Sequence, residues 1–204
     1  FLFASSRMLE RASYYGLRTT IVLYMISEVL KMDEQEATSI YALFTTSIIF
    51  SQIIGAIFGD LLMGNKGAAI IGGVIQTFGA FCCGISSTMG LYIGLFLIVI
   101  GGGFYSSNII SLFGKQYLNK IKLLDSGFNL FFIAINIGSF LGILLIGYFG
   151  EYFGWNIGFC IAGILMFFSL ILVLIVKEDE LNKIPPINLS INLRAVYIVI
   201  AVVF

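Results

Sequence analysis

Six long apolar runs separated by short polar breaks constrain the fold of this chain more than any other feature of its sequence. A helix needs about 20 predominantly apolar residues to cross the hydrocarbon core of a bilayer. The mean hydropathy of +1.04 and the 59% content of hydrophobic residues exclude an ordinary soluble domain. We therefore predict an all-α membrane protein with spanning helices over residues 5–30, 38–62, 67–88, 90–115, 126–149 and 155–176.

The basic residues of the connections alternate between the two sides of this predicted bundle. One set of connections contains Lys66, Lys115, Lys120, Lys122, Lys177, Lys183 and Arg194. The other set has Lys31 as its one basic residue, together with Asp33, Glu34, Glu36 and Glu151. Cytoplasmic loops carry the excess of lysine and arginine, so the first set and the amino terminus are predicted to be cytoplasmic. We expect a multi-pass protein of the cell membrane.

The longest polar stretch follows the sixth run and contains Pro185 and Pro186. It predicts a cytoplasmic linker at 178–193, between a six-helix bundle at 1–177 and the start of a seventh helix at 194–204. Because the chain begins inside a predicted helix and ends within half a span, we expect it to be a fragment. No cleavable signal peptide is expected, since the first run contains arginines and lacks a small-residue cleavage site.

Charged and phenolic side chains gather on one face of the first predicted helix. At about 100° per residue, an arc of roughly 140° holds Arg7, Glu10, Arg11, Tyr14, Tyr15 and Arg18. Charges at membrane depth are costly, so they usually face a bundle interior or a watery cavity on a substrate or ion path. The alternative is that the arginines anchor the helix in cytoplasmic headgroups, which does not explain two tyrosines on the same face.

Several other classes of function lack the residues that they need. The formal net charge is zero, and no basic stripe of the kind that binds nucleic acid is present. With no histidine in the sequence, Cys82, Cys83 and Cys160 are predicted to be small buried hydrophobic residues rather than metal ligands or disulfides. An intramembrane enzyme would need a nucleophile with a base or a metal, so we predict that the chain is not an enzyme. No metal or organic cofactor is expected.

Five sequence features follow one another along the chain. The first predicted helix contains Glu10-Arg11, Tyr14-Tyr15-Gly16 and Arg18, and the turn after the second contains Asp60, Gly64 and Lys66. The fourth helix contains Asn108, and the fifth contains an aromatic pair followed by Ile135-Asn136-Ile137-Gly138-Ser139. The sixth begins with Trp155 and continues with Gly158-Phe159. Together they resemble the signatures of the proton-dependent oligopeptide transporters, a branch of the major facilitator superfamily. The resemblance implies the N-terminal six-helix half of a carrier that has about twelve helices, binds its substrate between its halves and alternates access.

The resemblance also implies roles for individual residues. Arg18 would hold the carboxylate of a small peptide, since an arginine fork suits that group, and Tyr14 and Tyr15 would line the site. Arg11 would contact the substrate and, with Glu10, couple transport to protons, because a desolvated glutamate beside an arginine can exchange a proton as the pair opens.

Two further roles follow, each with a simpler alternative. Asn136 would meet the peptide backbone, although an interhelical hydrogen bond is an equally common use of asparagine in membranes. The turn with Asp60, Gly64 and Lys66 would form a breakable cytoplasmic latch, although it is also explained as a polar turn. The implied partners are small peptides, the lipid bilayer and the C-terminal half of the same carrier, with protons as the coupling ion.

Three positions depart from the family pattern. Arg7 stands where the family has a second glutamate, Ser106 stands where it has a cavity lysine, and Ile49 stands where it has a tyrosine. The first two exchanges together make the local charge more positive by one. We therefore predict weak or altered proton coupling, or a substrate other than an ordinary dipeptide, such as another small anionic solute. A sensor or scaffold that keeps the fold without transporting is the alternative from another class.

Overall fold

The computed structural model describes residues 1–117 and 120–176, which form an all-α bundle without β-strands in that part of the chain. Its helices are α1 (Leu2–Ile26), α2 (Glu34–Phe58), α3 (Asn65–Cys83), α4 (Thr88–Lys115), α5 (Leu124–Phe153) and α6 (Trp155–Ile175). A π-helical turn, Gly59–Met63, continues α2, and a 3₁₀ turn, Ile121–Leu123, precedes α5. The predicted linker at 178–193 and the helix start at 194–204 lie outside the described residues.

Each of the six predicted runs forms a helix, and capping residues explain two of the differences at the ends. α2 begins four residues earlier than predicted because the Asp33 side chain accepts a hydrogen bond from the Gln35 amide and caps the helix. α5 continues past the predicted end at 149, until Gly154 adopts a φ of 109°.

Five of the six long helices are long and apolar enough to cross a membrane. α1 is the exception because four charged residues, Arg7, Glu10, Arg11 and Arg18, lie within it. Arg7, Glu10 and Arg11 are enclosed inside the bundle. Packing against its neighbours, rather than its own hydrophobicity, therefore stabilises α1 in the bundle.

The helices are arranged so that α1 and α4 face each other across a polar gap. α1 packs mainly on α5 and α6, α4 packs mainly on α3 and α2, and α3 also contacts α6. Direct packing between α1 and α4 is slight, so polar side chains supply much of their contact. α2 and α5 are the least buried of the helices and leave most of their surface uncovered within this chain.

Glycines allow α5 to approach α1 closely. A Cβ atom at Gly138 would overlap the backbone of Met8, and a Cβ atom at Gly142 would overlap the backbone of Ala12. Small residues spaced four apart commonly permit such backbone contact between membrane helices. The contact fixes the back of α1, opposite the face that carries its charged residues.

Candidate functional site

The centre of the candidate site is Glu10, whose side chain is fully buried between two arginines of the same helix. Arg7 Nη1 donates to Glu10 Oε2 at 2.9 Å, and Arg11 Nε donates to the same oxygen at 2.7 Å. Arg11 Nη2 donates to Glu10 Oε1 at 2.7 Å, and Gln76 Nε2 of α3 lies 3.4 Å from that oxygen. A carboxylate has about four acceptor positions, so Glu10 has none to spare in this arrangement.

Ser106 of α4 completes this group, which we call the charged cluster: Arg7, Glu10, Arg11, Gln76 and Ser106. The Ser106 hydroxyl oxygen accepts from Arg7 Nη1 and from Arg11 Nη2, each at 2.9 Å. Arg7 is only 5% exposed, so it does not reach headgroups as an anchoring arginine would. Two atoms of the cluster, Arg7 Nε and Gln76 Oε1, are buried without a hydrogen-bond partner among the described residues. The cluster joins α1, α3 and α4 and is net positive by one charge.

Two tyrosines extend the cluster along the same face of α1. The Arg11 guanidinium carbon lies 4.7 Å from the centre of the Tyr14 ring and 5.6 Å from the centre of the Tyr15 ring. The two rings meet edge to face with their centres 5.2 Å apart. Aromatic faces attract a guanidinium electrostatically, so the tyrosines help to fix the orientation of Arg11. Tyr15 is half-buried.

Arg18 lies at the more open end of this face. Its Nε donates to the hydroxyl of Tyr41 on α2 at 3.0 Å, and its guanidinium carbon lies 5.8 Å from the centre of that ring. The side chain is half-buried, and both terminal nitrogens remain without a partner in the described part of the chain. Arg18 therefore ties α1 to α2 and still presents the fork that binds carboxylates.

A second polar network lies at the lysine-bearing end of the bundle and is centred on Asn65. Asn65 Nδ2 donates to Asp60 Oδ1 and to Asn108 Oδ1, each at 2.8 Å, and Lys115 Nζ donates to Asn65 Oδ1. Asn108 Nδ2 donates at 2.8 Å to the Gly55 carbonyl of α2. Asp60 thus interacts with an amide of the next helix.

Lys66 and Gly64, the other residues of the predicted latch, lie beside this network. Lys66 Nζ donates at 2.5 Å to the carbonyl of Val176, just beyond the end of α6, where a cation is favourable. Gly64 makes the turn between the π-helical turn and α3 with a φ of 78°. The predicted latch residues therefore join α2, α3 and α6.

A buried group of three hydroxyls fixes α1, α4 and α6 next to the charged cluster. Ser6 Oγ donates to the Ser169 carbonyl at 2.9 Å, and Ser169 Oγ donates to the Ser6 carbonyl at 2.7 Å. The Tyr105 hydroxyl lies 2.5 Å from Ser6 Oγ and 2.6 Å from Ser169 Oγ. Both serine protons are then committed to carbonyls, so Tyr105 donates to a serine. Ser6 and Tyr105 immediately precede Arg7 and Ser106 and therefore fix the register of the helices that carry them.

Comparison with known proteins identifies the family. A model described as the POT family matches residues 67–203. The chain belongs to the POT family. Among its relatives, the Di-/tripeptide transporter of Lactococcus lactis subsp. cremoris is 33% identical over 79% of this chain and 34% of that protein. An uncharacterized transporter of Bacillus subtilis (strain 168) is 30% identical over 85% of this chain and 36% of that protein. The relatives are transporters and not enzymes.

Solved structures of the POT family have the same fold. A crystal structure of a peptide transporter POT in complex with sulfate matches with a TM-score of 0.87 at 29% identity, over 100% of this chain and 44% of that chain. A mutant of a peptide transporter POT in complex with alafosfalin matches with a TM-score of 0.86 at 28% identity. The predicted family and fold class are confirmed. The chain spans about a third of the length of the curated relatives that it matches.

The structure brings some of the predicted POT site residues together and leaves one apart. Glu10, Arg11, Tyr14 and Tyr15 are contiguous, and Arg18 lies further along their face. Asn136 is exposed on α5, and its Nδ2 donates at 2.9 Å to the Phe132 carbonyl of its own helix. Asn136 makes no hydrogen bond with the α1 face among the residues that the structure describes.

The departures from the POT pattern have different surroundings. Arg7 and Ser106 are in contact with each other, so these two exchanges form one local rearrangement. Ile49 is 64% exposed on α2, whereas the charged cluster is buried.

Four contributors to these sites were not predicted from the sequence: Gln76, Tyr41, Asn65 and the hydroxyl group formed by Ser6, Tyr105 and Ser169. The role of Gln76 could have been predicted from the sequence, because an amide in the middle of an apolar run needs a buried hydrogen-bond partner. One prediction about cysteines is wrong: Cys83 is buried and Cys82 is half-buried, but Cys160 is exposed because it lies on the outward face of α6. Among the described residues, no group of histidine, cysteine and acidic side chains could hold a metal ion.

Proposed function

We propose that this chain is the N-terminal half of a secondary active transporter that carries di- or tripeptides across the cell membrane by alternating access. Membership of the POT family supports this, together with relatives that are di- and tripeptide transporters. The observation that carries the proposal is the buried charged cluster with Arg18 on one face of α1. In this fold, substrate binds near the bilayer midplane between two halves.

The proposed partner of this half is the C-terminal half of the same carrier, within a lipid bilayer. The large uncovered surfaces of α2 and α5 support a further covering partner. The amino terminus and the connections with Lys66 and Lys115 would face the cytoplasm, where Asp60, Gly64 and Lys66 would act as a latch that breaks when the carrier opens. No cofactor beyond the coupling proton is proposed.

Arg18 is proposed to hold the carboxylate of the peptide, because both of its terminal nitrogens are free to donate. Tyr14, Tyr15 and Arg11 would line the site beside it. Asn136 would meet the peptide backbone after releasing the carbonyl of its own helix. That assignment is supported by the family motif and by the exposure of Asn136.

Proton coupling through this half is proposed to be weak. Glu10 is the one acidic side chain inside the bundle within residues 1–117 and 120–176, and the whole chain has no histidine. Its carboxylate accepts from two arginines, so an incoming proton would have to displace Arg7 as well as Arg11. A single arginine partner would be displaced more easily.

Uptake by the complete carrier in proteoliposomes, with and without an inward proton gradient, tests this proposal. We expect labelled dipeptide to exchange in counterflow, with little extra accumulation when the gradient is applied. The double variant Arg7→Glu with Ser106→Lys recreates the usual family residues and is expected to increase the response to the gradient. Strong gradient-driven uptake by the unmodified protein would contradict weak coupling.

A non-transporting sensor is the second candidate. The hydrogen bonds that hold Glu10 between two arginines favour it, because a receptor needs no proton relay. The same counterflow experiment separates the two candidates. A carrier exchanges labelled for unlabelled peptide across the membrane, whereas a sensor binds peptide without exchange. A carrier of another small anionic solute would exchange that solute and not the dipeptide.

A further inference from the structure

Two arginines on the same face of α1 have hydrogen-bond donors without a partner among the described residues. Arg11 uses its Nε and Nη2 for Glu10 and Ser106, while its Nη1 has no partner in the described part of the chain and is not sealed in the interior. Arg18 uses only its Nε, for Tyr41. Each arginine can therefore bind an additional anionic oxygen without giving up a contact that it already has.

The spacing of these donors defines a site with two centres. Arg11 and Arg18 are seven residues apart, which on a helix places them within about 20° of the same direction and about 10 Å apart along the axis. The Tyr15 ring lies on the same face, 5.6 Å from the Arg11 guanidinium. A ligand that reaches both arginines must therefore carry anionic groups at two ends.

The charge of this face is not balanced by the residues around it. Arg7 and Arg11 share the single carboxylate of Glu10, and Arg18 has a neutral phenol as its partner, so the face is positive by two charges. The other acidic residues of the described chain lie in the connections or at helix ends: Glu28, Asp33, Glu34, Glu36, Asp60, Asp125 and Glu151. An uncompensated charge inside a membrane protein is costly, which favours a ligand that brings negative charge.

We propose that the preferred substrates are acidic peptides, whose C-terminal carboxylate binds Arg18 and whose side-chain carboxylate binds Arg11. This inference rests on the proposed function, because it takes peptides as the substrate class. An extended chain advances about 3.3–3.6 Å per residue, so a tripeptide covers the distance of about 10 Å between the arginines. An acidic first residue then places its carboxylate at the Arg11 end, where Arg7 adds a second positive charge.

Equilibrium binding of two matched tripeptides to the purified complete protein tests this assignment. Glutamyl-alanyl-alanine and glutaminyl-alanyl-alanine have nearly the same size and differ in one negative charge. We expect titration calorimetry to give a dissociation constant on the order of tenfold lower for the glutamyl peptide, which corresponds to one charge-assisted contact. Equal affinities, tighter binding of the glutaminyl peptide, or no binding of either peptide would overturn the proposal.

Variants at Arg7 separate a charge effect from a packing effect. Arg7→Gln leaves Arg11 and Glu10 as a neutral pair and is expected to lower the affinity ratio of the two peptides. Arg7→Lys keeps the charge and is expected to retain the preference for the glutamyl peptide. A preference that survives Arg7→Gln unchanged would contradict the role of the excess charge.

Binding and transport give independent answers. If the protein prefers the acidic tripeptide but shows no counterflow, the proposed carrier function fails and the assignment of the two-centre site stands. If both tripeptides are exchanged and bind equally well, the carrier function stands and the acidic preference fails.

Discussion

Glu10→Gln is expected to lower the free energy of unfolding by about 3–5 kcal/mol, because it leaves two buried guanidinium groups without a counter-charge. Glu10 is 0% exposed and accepts the hydrogen bonds of both Arg7 and Arg11, so glutamine keeps the shape of the side chain and removes its charge. A denaturant titration of the purified protein in detergent, followed by loss of tertiary structure, measures this change.

Glu151→Gln is the matched control for that measurement. Glu151 is exposed in the last turn of α5, and its neutralisation is expected to change stability by less than about 0.5 kcal/mol. If the two variants have the same stability, Glu10 does not hold the charged cluster together.

Gly142→Leu is expected to separate α5 from α1 and to destabilise the fold by about 1–3 kcal/mol or more. A Cβ atom at Gly142 would overlap the backbone of Ala12, which has no flexible side chain that could move aside. Gly147→Leu, on the same helix, is the control because nothing lies within 4 Å of the position of its Cβ. Both variants gain the same helix propensity. A difference between their melting temperatures in detergent therefore reports the contact between Gly142 and Ala12. Equal melting temperatures would contradict the close approach of α1 and α5.

Much of the fold could be predicted from the sequence because the bilayer imposes a simple rule on apolar length. The six runs all became helices, and the errors lay at helix ends, two of which are set by the capping residues Asp33 and Gly154. Hydrophobicity does not report such caps. The position of the linker at 178–193 stays a prediction, because it lies outside the described residues.

The candidate site was predicted only in part, because spacing along one helix does not identify contacts with other helices. The face of α1 followed from helical periodicity, and Glu10, Arg11 and Tyr15 do adjoin one another. The contribution of Gln76 and the tie between Arg18 and Tyr41 depend on how α2 and α3 pack, which a single sequence does not specify.

Arg7 and Ser106 illustrate what geometry adds to a motif comparison. In the sequence they are two unrelated departures, 99 positions apart. In the structure the Arg7 guanidinium reaches the Ser106 hydroxyl, so a positive group still occupies the junction of α1 and α4, although it comes from the opposite helix. Both residues together should therefore alter proton coupling, and the double variant Arg7→Glu with Ser106→Lys is a better probe than either single change.

If the polar face of α1 lines the chamber through which the substrate passes, an Arg18→Gln variant of the complete carrier should show it most directly in counterflow. A charge-assisted hydrogen bond contributes about 1.5–3 kcal/mol, so we expect the variant to exchange labelled peptide about tenfold more slowly or worse at subsaturating peptide. Lys31→Gln, in the exposed connection after α1, should exchange at the unmodified rate. Undiminished exchange by Arg18→Gln would contradict the account.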